Sequence, residues 1–100
     1  MGAQKINIIF KVKAENTIYE ISKFIAEKGY PETSIKFAEK LYQFGYSLAG
    51  FPEKYPLCRL PQLAKRKLHC AVFNNDYFFT YKVIKNKLII YNIIHSKTLK

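Results

Sequence analysis

The sequence predicts an α+β domain in which a helical hairpin packs on a four-stranded, mostly antiparallel sheet, in the order β-α-α-β-β-β. Three observations lead to this fold class. The chain opens with a segment of period-two alternation, continues with two amphipathic segments separated by a very short link, and ends with three strand-like segments. With 100 residues and 49% hydrophobic residues, it is long enough for one core, so residues 1–100 are expected to form a single domain.

The first strand is predicted over residues 5–13, because apolar and polar side chains alternate there. Four apolar positions fall on one face of an extended chain, and all three lysines of the segment fall on the other. The face expected to pack against the helices consists of Ile6, Ile8, Phe10 and Val12.

The first helix is predicted to begin near Thr17, because Glu20 follows three residues later and the pair matches a capping box. Apolar residues then recur at three- and four-residue spacing, which places them on one stripe of a helix. Gly29 is expected to end this helix. The predicted stripe consists of Ile18, Ile21, Phe24 and Ile25.

The second helix is predicted to begin at Pro31, a favoured first position, and to stop at Gly50 and Pro52. Phe37 and Phe44 lie beside its apolar stripe. The favoured interpretation is a wide buried face, and the alternative is an exposed aromatic strip for a partner helix. The stripe itself consists of Ile35, Ala38, Leu41, Tyr42, Gly45 and Leu48.

The C-terminal half contains a proline-rich loop over residues 51–66, with a short helical turn expected near its end, and then three strands. The strands are predicted near residues 67–73, 77–84 and 87–95, and Asn- and Asp-containing turns separate them. His69 is expected at the surface of its strand. Since the helices cover one sheet face, the other should be partly exposed and carry basic and aromatic side chains.

The net charge of +10 is concentrated in the second half of the chain. Residues 1–53 hold seven lysines and six glutamates, a net +1, whereas residues 54–100 hold eight lysines, two arginines and one aspartate, a net +9. Such a polarised field attracts a polyanion or an acidic protein. Together, the aromatic content of 16% and the high apolar content exclude a disordered chain.

Cys58 and Cys70 are the only cysteines, and they are expected to be reduced thiols of a cytoplasmic protein. A zinc site is disfavoured, because tetrahedral zinc needs four well-spaced ligands and the chain has only two histidines. No cofactor is expected. The longest apolar runs are far shorter than the roughly 20 residues of a membrane-spanning helix, so no membrane association is predicted.

Four segments together resemble the RelE/ParE superfamily, the toxins of bacterial type II toxin–antitoxin systems that include plasmid stabilisation proteins. The resemblance covers about residues 5–97, and its strength lies in the order and spacing of the segments. The segments are Leu48–Pro56 (similar to the family's L…FP…YP), Lys65-Arg66-Lys67-Leu68, Tyr77–Val83 (similar to Y-x-I-x-Y-x-V) and Ile93–Lys97 (similar to I-x-H-x-R/K).

The resemblance implies a toxin that is neutralised by a cognate acidic antitoxin. The family contains two activities on one scaffold, so the fold does not decide between them. RelE-like members cut messenger RNA on the ribosome, without a metal, and this mRNA interferase activity is the favoured hypothesis here. ParE-like members inhibit DNA gyrase by binding. A third possibility is an inactive relic that binds only its antitoxin.

The resemblance also implies roles for individual residues in RNA cleavage. His95 would be the acid or base, Arg66 the cation at the phosphate, and Lys97 a further phosphate contact. The remaining candidates would hold RNA: Lys65 and Lys67 by charge, Tyr81 and Tyr91 by stacking on bases. Each has a structural alternative, namely a strand-end histidine, solvated loop charges and core tyrosines.

Overall fold

The structure, a computed structural model, describes residues 6–96, and these form one α/β layer pair in the predicted order. A short third helix lies in the proline-rich loop, where a helical turn was expected. The elements are β1 (Asn7–Phe10), α1 (Val12–Glu27), α2 (Pro31–Ser47), α3 (Pro61–Lys65), β2 (His69–Phe73), β3 (Tyr77–Ile84) and β4 (Lys87–His95).

The four strands form one mixed sheet in the order β1-β4-β3-β2. β1 runs parallel to β4, and the other two pairings are antiparallel, so the predicted mostly antiparallel sheet is confirmed. Tight turns join the last three strands, with Asn74, Asn75 and Lys85 at φ values of 57°, 59° and 58°. The register shifts between Thr80 and Tyr81, whose partners are Asn92 and Ile90. The skipped β4 residue therefore forms a β-bulge.

The helices cover one face of the sheet, and the core lies between them. Gly45 of α2 makes this packing possible, because a Cβ at that position would meet the buried side chain of Ile90 at 2.9 Å. The fully buried apolar side chains of this layer come from both helices and from β2, β3 and β4. They are Ala14, Ile18, Leu41, Leu48, Ala71, Phe79, Tyr81, Leu88, Ile90 and Ile93.

The start of α1 differs from the prediction, since the helix begins at Val12 rather than near Thr17. Thr17 lies within the helix, where its hydroxyl donates to the Lys13 carbonyl at 3.1 Å instead of capping a terminus. β1 passes into α1 across Lys11 alone, which has an extended backbone and no side-chain cap. The period-two pattern of apolar residues therefore continues beyond the strand into the first turn of the helix. Val12, which this pattern assigned to the sheet core, is 69% exposed.

Two predicted stripe residues lie outside the core. Phe24 and Ile35 are 61% and 60% exposed. At 3.6 residues per turn each lies about 120° around its helix from the buried Ile18 or Leu41. Phe37 and Phe44, in contrast, pack against the core, which confirms the wide buried face of α2 and moves its centre away from Ile35.

The expectation of two reduced thiols was wrong, because Cys58 and Cys70 form a disulfide. The loop before α3 turns back along the start of β2 as a short antiparallel bridge between Leu57 and His69. The Cys58 N–H donates to the Leu68 carbonyl at 2.8 Å. This pairing brings the two cysteine Cα atoms to 4.9 Å, within the span of a disulfide. Sequence spacing alone did not reveal that the loop returns to the sheet.

Candidate functional site

The sheet face that points away from α1 and α2 is called the open face here. Side chains alternate along β3, so Phe79 points to the helices and Thr80 to the open face. The segment that contains α3 covers part of this face, and its Leu63 and Leu68 lie beside Thr80. The two faces therefore differ in what covers them. The loop segment with α3 covers part of the open face, whereas a layer of two long helices covers the other.

A basic pocket of about 390 Å³ lies on the open face between this segment and the first turn of α1. Lys11, Lys13 and Arg66 supply its positive charge, and none of the acidic side chains of residues 6–96 lines it. The Arg66 guanidinium lies 5.3 Å from the centroid of the Tyr91 ring, a cation–π contact that positions both groups. The full lining consists of Lys11, Lys13, Leu63, Arg66, Leu68, Thr80, Tyr91, Asn92 and Ile94.

The β-bulge in β4 explains why Tyr91 and Asn92 both line this pocket, although neighbours on a regular strand point to opposite faces. Asn92 is held by its own backbone, because its Oδ1 accepts the Ile93 N–H at 2.8 Å. The Thr80 hydroxyl donates to the Asn92 carbonyl at 3.2 Å. The pocket thus has a polar floor, with cations and one aromatic ring around it.

Of the predicted site residues, the structure brings Arg66, the expected cation at the phosphate, and Tyr91, an expected stacking ring, together in this pocket. Lys65 is exposed in the last turn of α3 beside them. Sequence reasoning missed Lys11 and Lys13, because they belong to the nearly neutral half of the chain and were assigned to a strand. Their position directly after β1, at the edge of the sheet, was the signal available for them.

His95 does not join this pocket. It pairs with Tyr77 across β3 and β4, and their rings meet edge to face at a centroid distance of 5.0 Å. Tyr77 in turn packs against Phe37 of α2, so both rings lie on the helical side of the sheet. The preceding residue, Ile94, lines the basic pocket. His95 and Arg66 therefore lie on opposite faces, and Lys97 lies outside the described residues.

Tyr81 is a core residue and offers no surface to a base. Its side chain is completely buried, and its hydroxyl donates to the Pro52 carbonyl at 2.6 Å. Burial raises the pKa of Tyr81 to about 12, and the nearby Tyr55 adds to this rise. The ring stacks on His69 at 5.3 Å, so His69 is half-buried rather than a surface strand residue.

Lys67 lies apart from the basic pocket, in a larger pocket at the end of the sheet. Within residues 6–96, no three His, Cys, Asp or Glu side chains come close enough together to share a metal ion. In the same part of the chain, neither long helix is apolar enough to cross a bilayer.

Comparison with known proteins identifies a fold but no sequence family. No family model matches the sequence, and no curated protein matches it either. Among solved structures, the chain is similar to one in the chromosomal ParDE TA system from P. aeruginosa. The TM-score is 0.76, and the alignment covers 93% of this chain and 98% of that one at 11% identity. The similarity confirms the expected RelE/ParE-like fold.

Proposed function

We propose that the chain is the toxin component of a type II toxin–antitoxin system. The observation that carries this proposal is the fold, which agrees over nearly the whole length of a chain from a ParDE TA system. The four sequence segments that resemble the superfamily support it separately from the fold. At 11% identity the fold leaves the molecular target open, so the target has to be argued from the surface.

The finer proposal is that the toxin acts on messenger RNA at the ribosome. The basic pocket supports it, since Arg66 can hold a phosphate through two donors while Lys11 and Lys13 add charge. The Tyr91 ring beside Arg66 can stack on an unpaired base. Lys65 and Lys97 are proposed as further contacts to the backbone of the RNA.

The position of His95 limits the catalytic part of this proposal. General acid–base catalysis needs a proton donor or acceptor within hydrogen-bond reach of the reacting group. His95 lies on the helical side of the sheet, away from Arg66, so one phosphate cannot contact both in this arrangement. This separation favours the second candidate function, inhibition of DNA gyrase, because an inhibitor that acts by binding needs no acid–base pair.

The proposed partner is an acidic antitoxin that covers part of the basic surface, and the proposed compartment is the cytoplasm. Electrostatic steering would make their association fast and sensitive to salt. In a reducing cytoplasm the Cys58–Cys70 disulfide would open. The loop would retain its backbone pairing, in which the Cys70 N–H donates to the Pro56 carbonyl at 3.1 Å and the Cys58 N–H to the Leu68 carbonyl.

The test is to express the wild type and three variants in bacterial cells and to follow protein synthesis, DNA replication and messenger RNA ends. We expect the wild type to arrest growth and Arg66→Gln to relieve the arrest. Arg59→Gln is the matched control, because Arg59 lies outside the basic pocket. His95→Ala tests the acid–base role assigned from the resemblance.

The outcomes separate the candidates. Early loss of translation with new RNA ends supports the ribonuclease, and relief by His95→Ala would assign the proton transfer to this residue. Arrested replication with intact transcripts, relieved by Arg66→Gln but not by His95→Ala, selects the gyrase inhibitor. Normal growth on wild-type expression contradicts the toxin proposal.

A further inference from the structure

A second pocket, called the corner pocket here, lies at the end of the sheet where α2 stops. Its volume is about 1080 Å³, slightly above the usual range of small-molecule sites. It shares no lining residue with the basic pocket. The lining consists of Ile6, Gly50, Phe51, Pro52, Glu53, Lys54, Lys67, His69, Lys82 and Val83.

The pocket exists because β3 is longer than its neighbour. β2 begins at His69 opposite Tyr81, so residues 82–84 of β3 continue without a β2 partner and leave a notch. The loop after α2 forms the opposite wall. It is fixed to the floor by two hydrogen bonds of 2.6 Å, from the Tyr81 hydroxyl to the Pro52 carbonyl and between His69 Nδ1 and the Tyr55 carbonyl. The walls are therefore formed before any ligand arrives.

The hydrogen bond to the Tyr55 carbonyl also fixes the position of the His69 ring. A carbonyl oxygen can only accept, so His69 Nδ1 is the donor of this hydrogen bond. In the tautomer with its proton on Nδ1, Nε2 is the acceptor that remains. Stacking on Tyr81 holds the plane of the ring. His69 thus lines the corner pocket with a ring of fixed orientation.

The other groups define the charge and shape of a ligand. Lys54, Lys67 and Lys82 line the pocket, and the Lys54 ammonium lies 5.5 Å from the centroid of the Tyr55 ring, outside this lining. Among residues 6–96, Glu53 is the acidic side chain in the lining. Phe51 is 76% exposed, so its ring is accessible for stacking. A small inorganic anion would make no stacking contact with this ring, and a neutral apolar ligand would not neutralise the lysines. A ligand that suits both features carries a negative charge and a flat ring.

We propose that the corner pocket binds a nucleoside monophosphate. Its phosphate is neutralised by the lysines, its base stacks on Phe51, and a donor on the base bonds to His69 Nε2. This binding site is independent of the toxin proposal, because none of its lining residues belongs to the basic pocket.

The test is a calorimetric or NMR titration of the purified protein with AMP and CMP, and with adenosine and inorganic phosphate as the separate parts. We expect a nucleotide to bind at least about tenfold more tightly than either part, because stacking and charge act together. Phe51→Ala and Lys82→Gln should each weaken nucleotide binding about tenfold or more. Phe24→Ala and Lys36→Gln are the matched controls on exposed helix positions and should leave it unchanged.

Three results would overturn the proposal. Equal binding of phosphate and AMP would show a charged surface rather than a nucleotide site. Binding that falls in Arg66→Gln but not in Phe51→Ala would place the nucleotide in the basic pocket. No binding of either nucleotide up to millimolar concentration would leave the corner pocket without this ligand. Phe51→Ala removes an exposed ring, so its loss should not unfold the protein.

Discussion

The two faces of the sheet are built from the same strands but from different kinds of contact. On the helical face, Phe79 meets Phe44 and Phe73 at ring distances of 4.9 and 6.4 Å, and the side chains of this layer are fully or half-buried. On the open face, a loop with a short helix leaves a pocket in which cations surround a polar floor. The first arrangement stabilises the fold, and the second can bind a partner.

This difference follows from strand alternation together with one irregularity. Alternation sends neighbouring residues of β3 to opposite faces, so a single strand serves both purposes. The bulge in β4 then adds Tyr91 to the open face, and the residues of β4 that face the helices change from Leu88 and Ile90 before it to Ile93 after it. Stability and recognition are therefore separable by substitution.

The largest expected effect comes from truncating adjacent phenylalanines of β3. Phe79→Ala removes a completely buried ring of the helical face and should lower the free energy of unfolding by about 3–5 kcal/mol. Phe78→Ala truncates a half-buried ring of the open face, and its cost should be less than half as large. Urea denaturation of both variants measures the difference. Equal losses in the free energy of unfolding would contradict the conclusion that the helical face, and not the open face, stabilises the fold.

The fold was largely predictable because its elements are marked by local signals. Pro31 begins α2, Gly29 ends the preceding helix at φ 101°, and the Asn74–Asn75 turn has the positive φ values that asparagine tolerates. The start of α1 was missed because no side chain caps it, and a true period-two pattern ran directly into the helix. Without a cap, only tertiary packing decides where such a boundary falls.

The site was less predictable, because its members come from distant parts of the chain. The basic step around Arg66 was visible as a charge run, but Lys11 and Lys13 join it only through the sheet order β1-β4. The separation of His95 from Arg66 depends on which way a strand end faces, which residue identity does not reveal. The disulfide was missed because it also depends on the tertiary structure. Only the return of the loop to the sheet brings Cys58 close to Cys70.

A smaller effect is expected from pH at Tyr81, a helical-face residue. Its pKa in the folded state is about 12, above the ordinary value of 10.0. The unfolded chain therefore loses this proton first, and stability that is fully present below pH 10 is lost as pH rises towards 12. Between pH 10 and 11 this residue should lower the free energy of unfolding by about 1 kcal/mol.

Tyr81→Phe tests this contribution. At neutral pH the variant should be about 1 kcal/mol less stable, because the hydrogen bond to the Pro52 carbonyl is lost. Its stability should then fall less steeply than that of the wild type in alkaline urea titrations. Tyr42 and Tyr77 have raised pKa values from burial and contribute equally to both proteins. Parallel curves for the two proteins would contradict the role given to Tyr81.

The smallest expected effect on stability concerns the Arg66–Tyr91 contact of the open face. A double-mutant cycle with Arg66→Gln and Tyr91→Leu should give a coupling energy of only about 0.5–1 kcal/mol, because the guanidinium is exposed. The same two substitutions should weaken binding of a single-stranded RNA oligonucleotide about tenfold, since they remove a phosphate contact and a stacking ring. Phe78→Ala, on the same face but outside the basic pocket, serves as the control for binding. A large coupling energy with unchanged RNA affinity would mean that this contact stabilises the fold. The open face would then contribute to stability, as the helical face does, and not to binding.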